Sequence, residues 1–158
     1  MAKDLIAYFS TAGVTRKLAE KLANVTGGDL FEILPELPYT KEDLNWQNPE
    51  SRSSVEMKDK ASRPAVAGKV DEIGQYDRIF VGFPIWWYTA PTIINTFLEQ
   101  YDLGGKTVIP FATSGMSPIG RSAEDLRPSA KGAIVLKGER FSATIGEAEL
   151  KKWVESFS

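Results

Sequence analysis

Leu5-Ile6-Ala7-Tyr8-Phe9-Ser10-Thr11-Ala12-Gly13-Val14-Thr15-Arg16 passes from an apolar run into small hydroxylated residues and a glycine, after which a helical pattern begins. The order reads as strand, loop, helix. A helix start leaves its first amides unpaired, and the aligned peptide dipoles make that end partly positive. A phosphate fits there. Ser10, Thr11 and Thr15 add hydroxyls, while Ala12 and Gly13 carry too little side chain to keep a phosphate off the backbone. Neither the Gly-Lys-Ser/Thr ending of a nucleotide triphosphatase loop nor the spaced glycines of a dinucleotide fingerprint is present. Taken alone, the same residues equally make a plain turn with Thr11 or Ala12 near the N-cap.

Beyond the loop, Val14, Leu18, Leu22 and Val25 recur at helical spacing, and Gly27-Gly28 closes the predicted helix. Residues 29–34 read as a second strand, so the chain opens with a parallel β-α-β unit. Periodicity then fails over 35–68, where Pro35, Pro38, Pro49 and Pro64 punctuate a polar stretch with a single helical turn at 40–43. Its Leu44, Trp46 and Met57 are expected to dock it over the flank of the sheet, and a connection this long is often functional.

Residues 76–83 form the next predicted strand, which runs into Pro84-Ile85-Trp86-Trp87-Tyr88-Thr89-Ala90. Pro91 suits a first helical position, and Ile94, Phe97, Leu98 and Tyr101 make the buried face of a helix ended by Gly104-Gly105. Residues 107–112 look like a strand, although Pro110 cannot donate to a ladder and argues against an uninterrupted central position. A second small-residue loop follows at 113–120, then a short helix at 121–126 and a strand at 133–136. Thr144-Ile145-Gly146-Glu147 has capping-box spacing for a last helix, with Leu150, Trp153, Val154 and Phe157 toward the core.

A chain of 158 residues with 42% hydrophobic content suits one domain spanning 1–158 around a single core. It has no cysteine and no histidine. That composition removes disulfides, thiol nucleophiles, Ser-His catalysis and the usual zinc, haem and iron–sulfur ligand sets. Any redox chemistry must then come from an organic cofactor. The net charge of −2 and the scattered lysines and arginines point to no nucleic acid and no membrane as partner. The first apolar run is too short for a signal-peptide core or a membrane span, so the expected location is cytoplasmic.

Alternating strands and helices imply an α/β fold with a parallel sheet covered on both faces, its ligands at the strands' C-terminal ends. Three irregular segments follow three different strands and meet at that edge. Ser10 to Thr15 offers phosphate donors, Pro84, Ile85, Trp86, Trp87 and Tyr88 offer flat apolar faces, and Thr113, Ser114, Gly115 and Met116 offer backbone that can approach a polar ring edge. Together they describe a site for a phosphorylated aromatic ring.

At these residues the sequence resembles the flavodoxin family. Ser10-Thr11-Ala12-Gly13-Val14-Thr15 is similar to the family's Ser/Thr-x-Ser/Thr-Gly-x-Thr phosphate loop, with Ala12 in place of a hydroxylated residue. Gly82-Phe83-Pro84-Ile85-Trp86 is similar to its Gly-x-Pro-x-Trp loop, which makes Trp86 the first candidate to lie beside the ring. The third loop departs, since Thr113-Ser114-Gly115-Met116 has no stacking tyrosine. The resemblance implies a flavodoxin-like doubly wound fold, a five-stranded parallel sheet in the order 2-1-3-4-5 with helices on both faces. It further implies noncovalently bound FMN, no catalytic residue and no metal, and electron transfer between redox partner proteins, a reductase and an acceptor. An NAD(P)H-dependent FMN or quinone reductase is the alternative on the same scaffold. A receiver-type signalling module would instead want clustered acids at its strand ends, which Phe9-Ser10, Phe83-Pro84 and Ala112-Thr113 lack.

Overall fold

The computed structural model describes residues 3–11, 13–114, 118–142 and 144–157. In chain order its elements are β1 (Asp4–Tyr8), α1 (Val14–Thr26), β2 (Asp29–Glu32), β3 (Leu34–Pro35), α2 (Arg52–Lys58), β4 (Val66–Ala67), β5 (Arg78–Pro84), α3 (Thr92–Glu99), β6 (Thr107–Thr113), α4 (Ser122–Leu126), β7 (Ile134–Val135), β8 (Glu139–Phe141) and α5 (Glu147–Glu155). The main sheet runs β2-β1-β5-β6-β7, with β8 also on β6. Every pairing in it is parallel. By position this is the expected 2-1-3-4-5 order.

The fifth position departs from expectation because two short strands share it, and Pro110 explains the break. Ile134 N–H donates to Lys106 O at 2.8 Å and Leu136 N–H to Val108 O at 2.9 Å, so the even-numbered residues of β6 face this neighbour. Pro110 is the next of them and has no N–H to give. The chain steps outward there, and Gly138 passes so close that a Cβ on it would stand 2.1 Å from the Pro110 carbonyl oxygen. Pairing resumes at Phe111 with Glu139. The proline is thus central on its β5 side and unpaired on the other.

Alternation along the strands builds two cores. Leu5, Ala7 and Phe9 join Ile79, Val81, Phe83, Ile93 and Phe97 on one face. Ile6 and Tyr8 join Leu18, Leu22, Phe80, Ile109, Phe111 and Leu150 on the other. The first face is covered by α3 and α4, the second by α1 and α5.

Three helix starts differ from the sequence reading. The N-cap of α1 is Gly13 in the left-handed region rather than Thr11 or Ala12, and the buried face is Thr15, Leu18, Ala19 and Leu22. Val14 is 41% exposed, because the first helical residue projects toward the loop rather than the sheet. Pro91 is the N-cap of α3, still extended at ψ 144°, and that helix ends at Glu99 well before Gly104. No capping box opens α5: Gly146 is its N-cap, and the Thr144 hydroxyl pairs instead with Ser142 Oγ at 3.1 Å.

The 35–68 stretch is closed at its neck by the antiparallel pair β3 and β4. Inside it lies α2, which the periodicity did not reveal, with the Ser51 side chain accepting from Ser54 N–H as its cap. Trp46 does not dock the stretch, being 69% exposed. Tyr39 does so, through ring contacts with Phe9 and Trp86 at 5.7 and 5.5 Å.

Candidate functional site

The loops after β1, β5 and β6 are tied into one edge by direct contacts. The Phe9 and Trp86 rings meet edge to face at 5.7 Å. The Thr15 and Thr113 hydroxyls hydrogen-bond at 2.7 Å. Ile85 N–H donates to Thr113 O at 3.3 Å, and Arg121 N–H donates to Tyr88 O at 3.3 Å. Gly120 lets this last contact form, since a Cβ there would overlap the Tyr88 carbonyl oxygen at 2.2 Å.

In the first loop, Gly13 N–H donates to Ser10 Oγ at 3.1 Å, which folds the turn onto itself. The first helical bond of α1 is Lys17 N–H to Gly13 O at 3.2 Å. Amides 14–16 therefore have no acceptor inside the helix and form its partly positive end. Thr11 is exposed at the tip, and Gly13 has open space where a Cβ would stand. Thr15 is buried, and its hydroxyl faces Thr113. One of the two hydroxyls donates to the other, which leaves the pair one O–H to present elsewhere.

In the second loop, Pro84 ends β5, and Ile85 and Trp86 are half-buried against the first core. Trp86 and Thr89 exchange both backbone bonds, at 3.0 and 3.2 Å. Trp87 and Tyr88 between them have φ values of 49° and 65°. Positive φ at both central residues is the signature of a type I′ hairpin, where asparagine and glycine are the usual occupants. Their rings are turned outward, at 44% and 68% exposure. The hairpin is held by the Thr89 hydroxyl donating to Asp125 Oδ2 at 2.6 Å.

In the third loop, Thr113 is buried at the end of β6 and Ser114 is half-buried beside it. Ala12, Gly115 and Met116 lie outside the described residues. Of the predicted residues, the structure therefore gathers Ser10, Thr11, Gly13, Val14, Thr15, Pro84 to Tyr88, Thr113 and Ser114 along one sheet edge.

A cavity of about 520 Å³ opens beside the aromatic loop, walled by Ile85, Trp86, Trp87 and Tyr88 and closed by Trp46 and Ser53. Among the described residues the buried Ser53 hydroxyl has no hydrogen-bond partner. Such a group is uncommon in a folded interior.

Sequence reasoning missed the support behind Trp86. The Tyr39 hydroxyl donates to the Glu56 carboxylate, Arg52 Nε pairs with Glu56 at 2.9 Å, and the guanidinium lies 3.8 Å over the Tyr39 ring. Burial first, and the Glu56 carboxylate second, push the Tyr39 hydroxyl's pKa far above its ordinary value. The usable signal was Arg52 and Glu56 at i,i+4 behind a capping serine.

A parallel sheet whose order reverses between β1 and β5, with its loops gathered at that crevice, defines the doubly wound α/β class. The flavodoxin family model matches residues 3–157, and the chain belongs to that family. A candidate flavoprotein from Bacteroides eggerthii DSM 20697 is 48% identical, with TM-score 0.93 over 99% of this chain and 98% of that one. One from Bacteroides uniformis ATCC 8492 is 45% identical, with TM-score 0.91 over 98% of both. A flavoprotein from Lactobacillus acidophilus NCFM, solved in complex with FMN, shares the fold at 24% identity, with TM-score 0.72 over 98% of this chain and 99% of that one. No curated protein matches the chain. Among the described residues no helix is long and apolar enough to cross a membrane.

Proposed function

We propose that the chain binds FMN without a covalent bond and carries electrons between two redox partner proteins, a reductase and an acceptor. The observation that carries this reading is the meeting of a helix-start amide cluster with a braced tryptophan corner at one switch point. The family membership and the FMN held by the Lactobacillus relative support it. The residues present fit the group: amides 14–16 with the Ser10 and Thr11 hydroxyls suit a phosphate, and the aromatic cavity suits a flat ring.

Bound FMN supplies reversible electron uptake. This chain's part is to orient and insulate. Trp86, fixed by Phe9 and Tyr39, forms a wall with little freedom to move. Trp87 and Tyr88 shield the cavity mouth from water while leaving apolar surface for a protein partner.

The test is titration of FMN with the purified protein, followed by its fluorescence, and then reduction of the complex with and without a separate reductase. Saturable quenching, with slow NAD(P)H oxidation until a reductase is added, is expected. Absence of FMN uptake would overturn the reading, and rapid unaided NAD(P)H oxidation would replace the carrier with a reductase.

A further inference from the structure

The Trp87-Tyr88 turn is unfavourable for its backbone and brings no core packing in return. Both residues hold positive φ without being glycine or asparagine, and both rings are exposed and stand outside the two cores. Such a conformation persists only where the surrounding structure over-determines it. The two backbone bonds between Trp86 and Thr89 close the turn without choosing it, since other two-residue turns close on the same pair.

The choice is made by one short segment, 120–125. Arg121 N–H donates to the Tyr88 carbonyl at 3.3 Å, past Gly120, whose missing Cβ leaves room for that oxygen. One helical turn further on, Asp125 Oδ2 accepts from the Thr89 hydroxyl at 2.6 Å, the length of a hydroxyl donating to a carboxylate. The first contact grips the second central residue of the turn, and the second contact grips the residue after it. Asp125 is itself fixed from α3. There the buried Asn95 donates through Nδ2 to the Asp125 backbone carbonyl at 3.0 Å and to the Ser129 hydroxyl at 2.9 Å.

We propose that Asp125 is a positioning residue: through Thr89 it holds Trp87 and Tyr88 in the conformation that walls the 520 Å³ cavity, a role that rests on FMN occupying that cavity as read above. Without the carboxylate the turn relaxes toward negative φ, and the two rings leave the wall while the cores stay closed. Asp125 acts on the residues of the wall and touches no ligand itself.

The test compares the parent protein with Thr89→Val, which keeps the shape and loses the hydroxyl, with Asp125→Ala, with the double variant, and with Thr89→Ser, which keeps the hydroxyl. Hydrogen exchange is followed at the Trp86, Thr89 and Arg121 amides, and FMN affinity is followed by fluorescence. Thr89→Val and Asp125→Ala are each expected to speed exchange at those amides about tenfold, to change the amides of α1 and β1 by less than about twofold, and to weaken FMN binding about tenfold. The double variant should be no worse than either, because both changes break one bond, and Thr89→Ser should match the parent within about twofold. Unaltered exchange in the hairpin, acceleration spread evenly over α1 and β1, additive losses in the double variant, or FMN affinity equal to that of the parent would each overturn the proposal. A parent protein that takes up no FMN would remove the electron-carrier reading, and local acceleration of the hairpin amides would still uphold Asp125 as the brace of the turn.

Discussion

Trp87 and Tyr88 occupy backbone conformations that bulky residues rarely adopt. Holding a non-glycine residue there costs on the order of 1–3 kcal/mol. Replacing the pair by Asn-Gly is therefore expected to raise stability by about 1–2 kcal/mol in urea unfolding while removing two walls of the 520 Å³ cavity. A fall in stability would mean that ring packing, not backbone preference, sets the turn. Gly13, at φ 85°, is a second such position. Gly13→Val should weaken FMN uptake by straining the loop, and Thr15→Ala should do so by removing the partner of the Thr113 hydroxyl. Trp86→Ala should move the reduction potential more than the affinity. Equal FMN affinity in parent, Gly13→Val and Thr15→Ala would remove the loop roles assigned above. The sequence displays the aromatic run after β5 plainly. It hides the hairpin, because no glycine or asparagine marks those two positions.

At the scale of elements, legibility followed the length and regularity of the pattern. The strands β1, β5 and β6 and the helices α1, α3 and α5 carry enough apolar repeats to be read directly. Their starts escape the pattern where a glycine or proline, rather than a capping side chain, sets the boundary, as at Gly13, Pro91 and Gly146. In 35–68 the structure rests on isolated anchors with no period to read: Tyr39 on Trp86, and Arg63 on Glu99. The second anchor gives a pH prediction. Glu99 is held below the ordinary carboxylate range chiefly by the Arg63 guanidinium, against a smaller opposing effect of burial, and with help from the Ser129 hydroxyl. A lowered folded pKa means that its contribution is complete above the unfolded value and disappears as pH falls through the folded one. Stability should therefore drop on acidification below the ordinary carboxylate range, and Glu99→Gln should flatten that acid limb in denaturation series. An unchanged limb would mean the pair is screened into irrelevance, as exposed pairs often are.

Across the whole molecule, the sheet is closed at one end by charge and at its centre by shape. Asp4 is 5% exposed and receives two bonds of 2.7 Å from the Arg78 guanidinium, joining the starts of β1 and β5. Asp4→Ala should cost about 1.5–3 kcal/mol by removing the two charge-assisted bonds that join these strand starts, seen as a lower urea midpoint. Gly82 faces the Phe111 ring, which a Cβ would meet at 2.2 Å. Gly82→Ala should cost about 1–3 kcal/mol through overpacking, seen as a lower urea midpoint at unchanged slope. The strand order was legible from the family resemblance, whereas these two fixings depend on which residues the register brings opposite each other. The interruption at Pro110 has a consequence for the molecule's neighbours. With one margin split into β7 and β8 and the other margin only the four residues Asp29–Glu32, which begin and end on a carboxylate, the described residues offer no long unbroken row of amides to a foreign chain. Crowded copies of the folded protein should resist zipping together into fibrils.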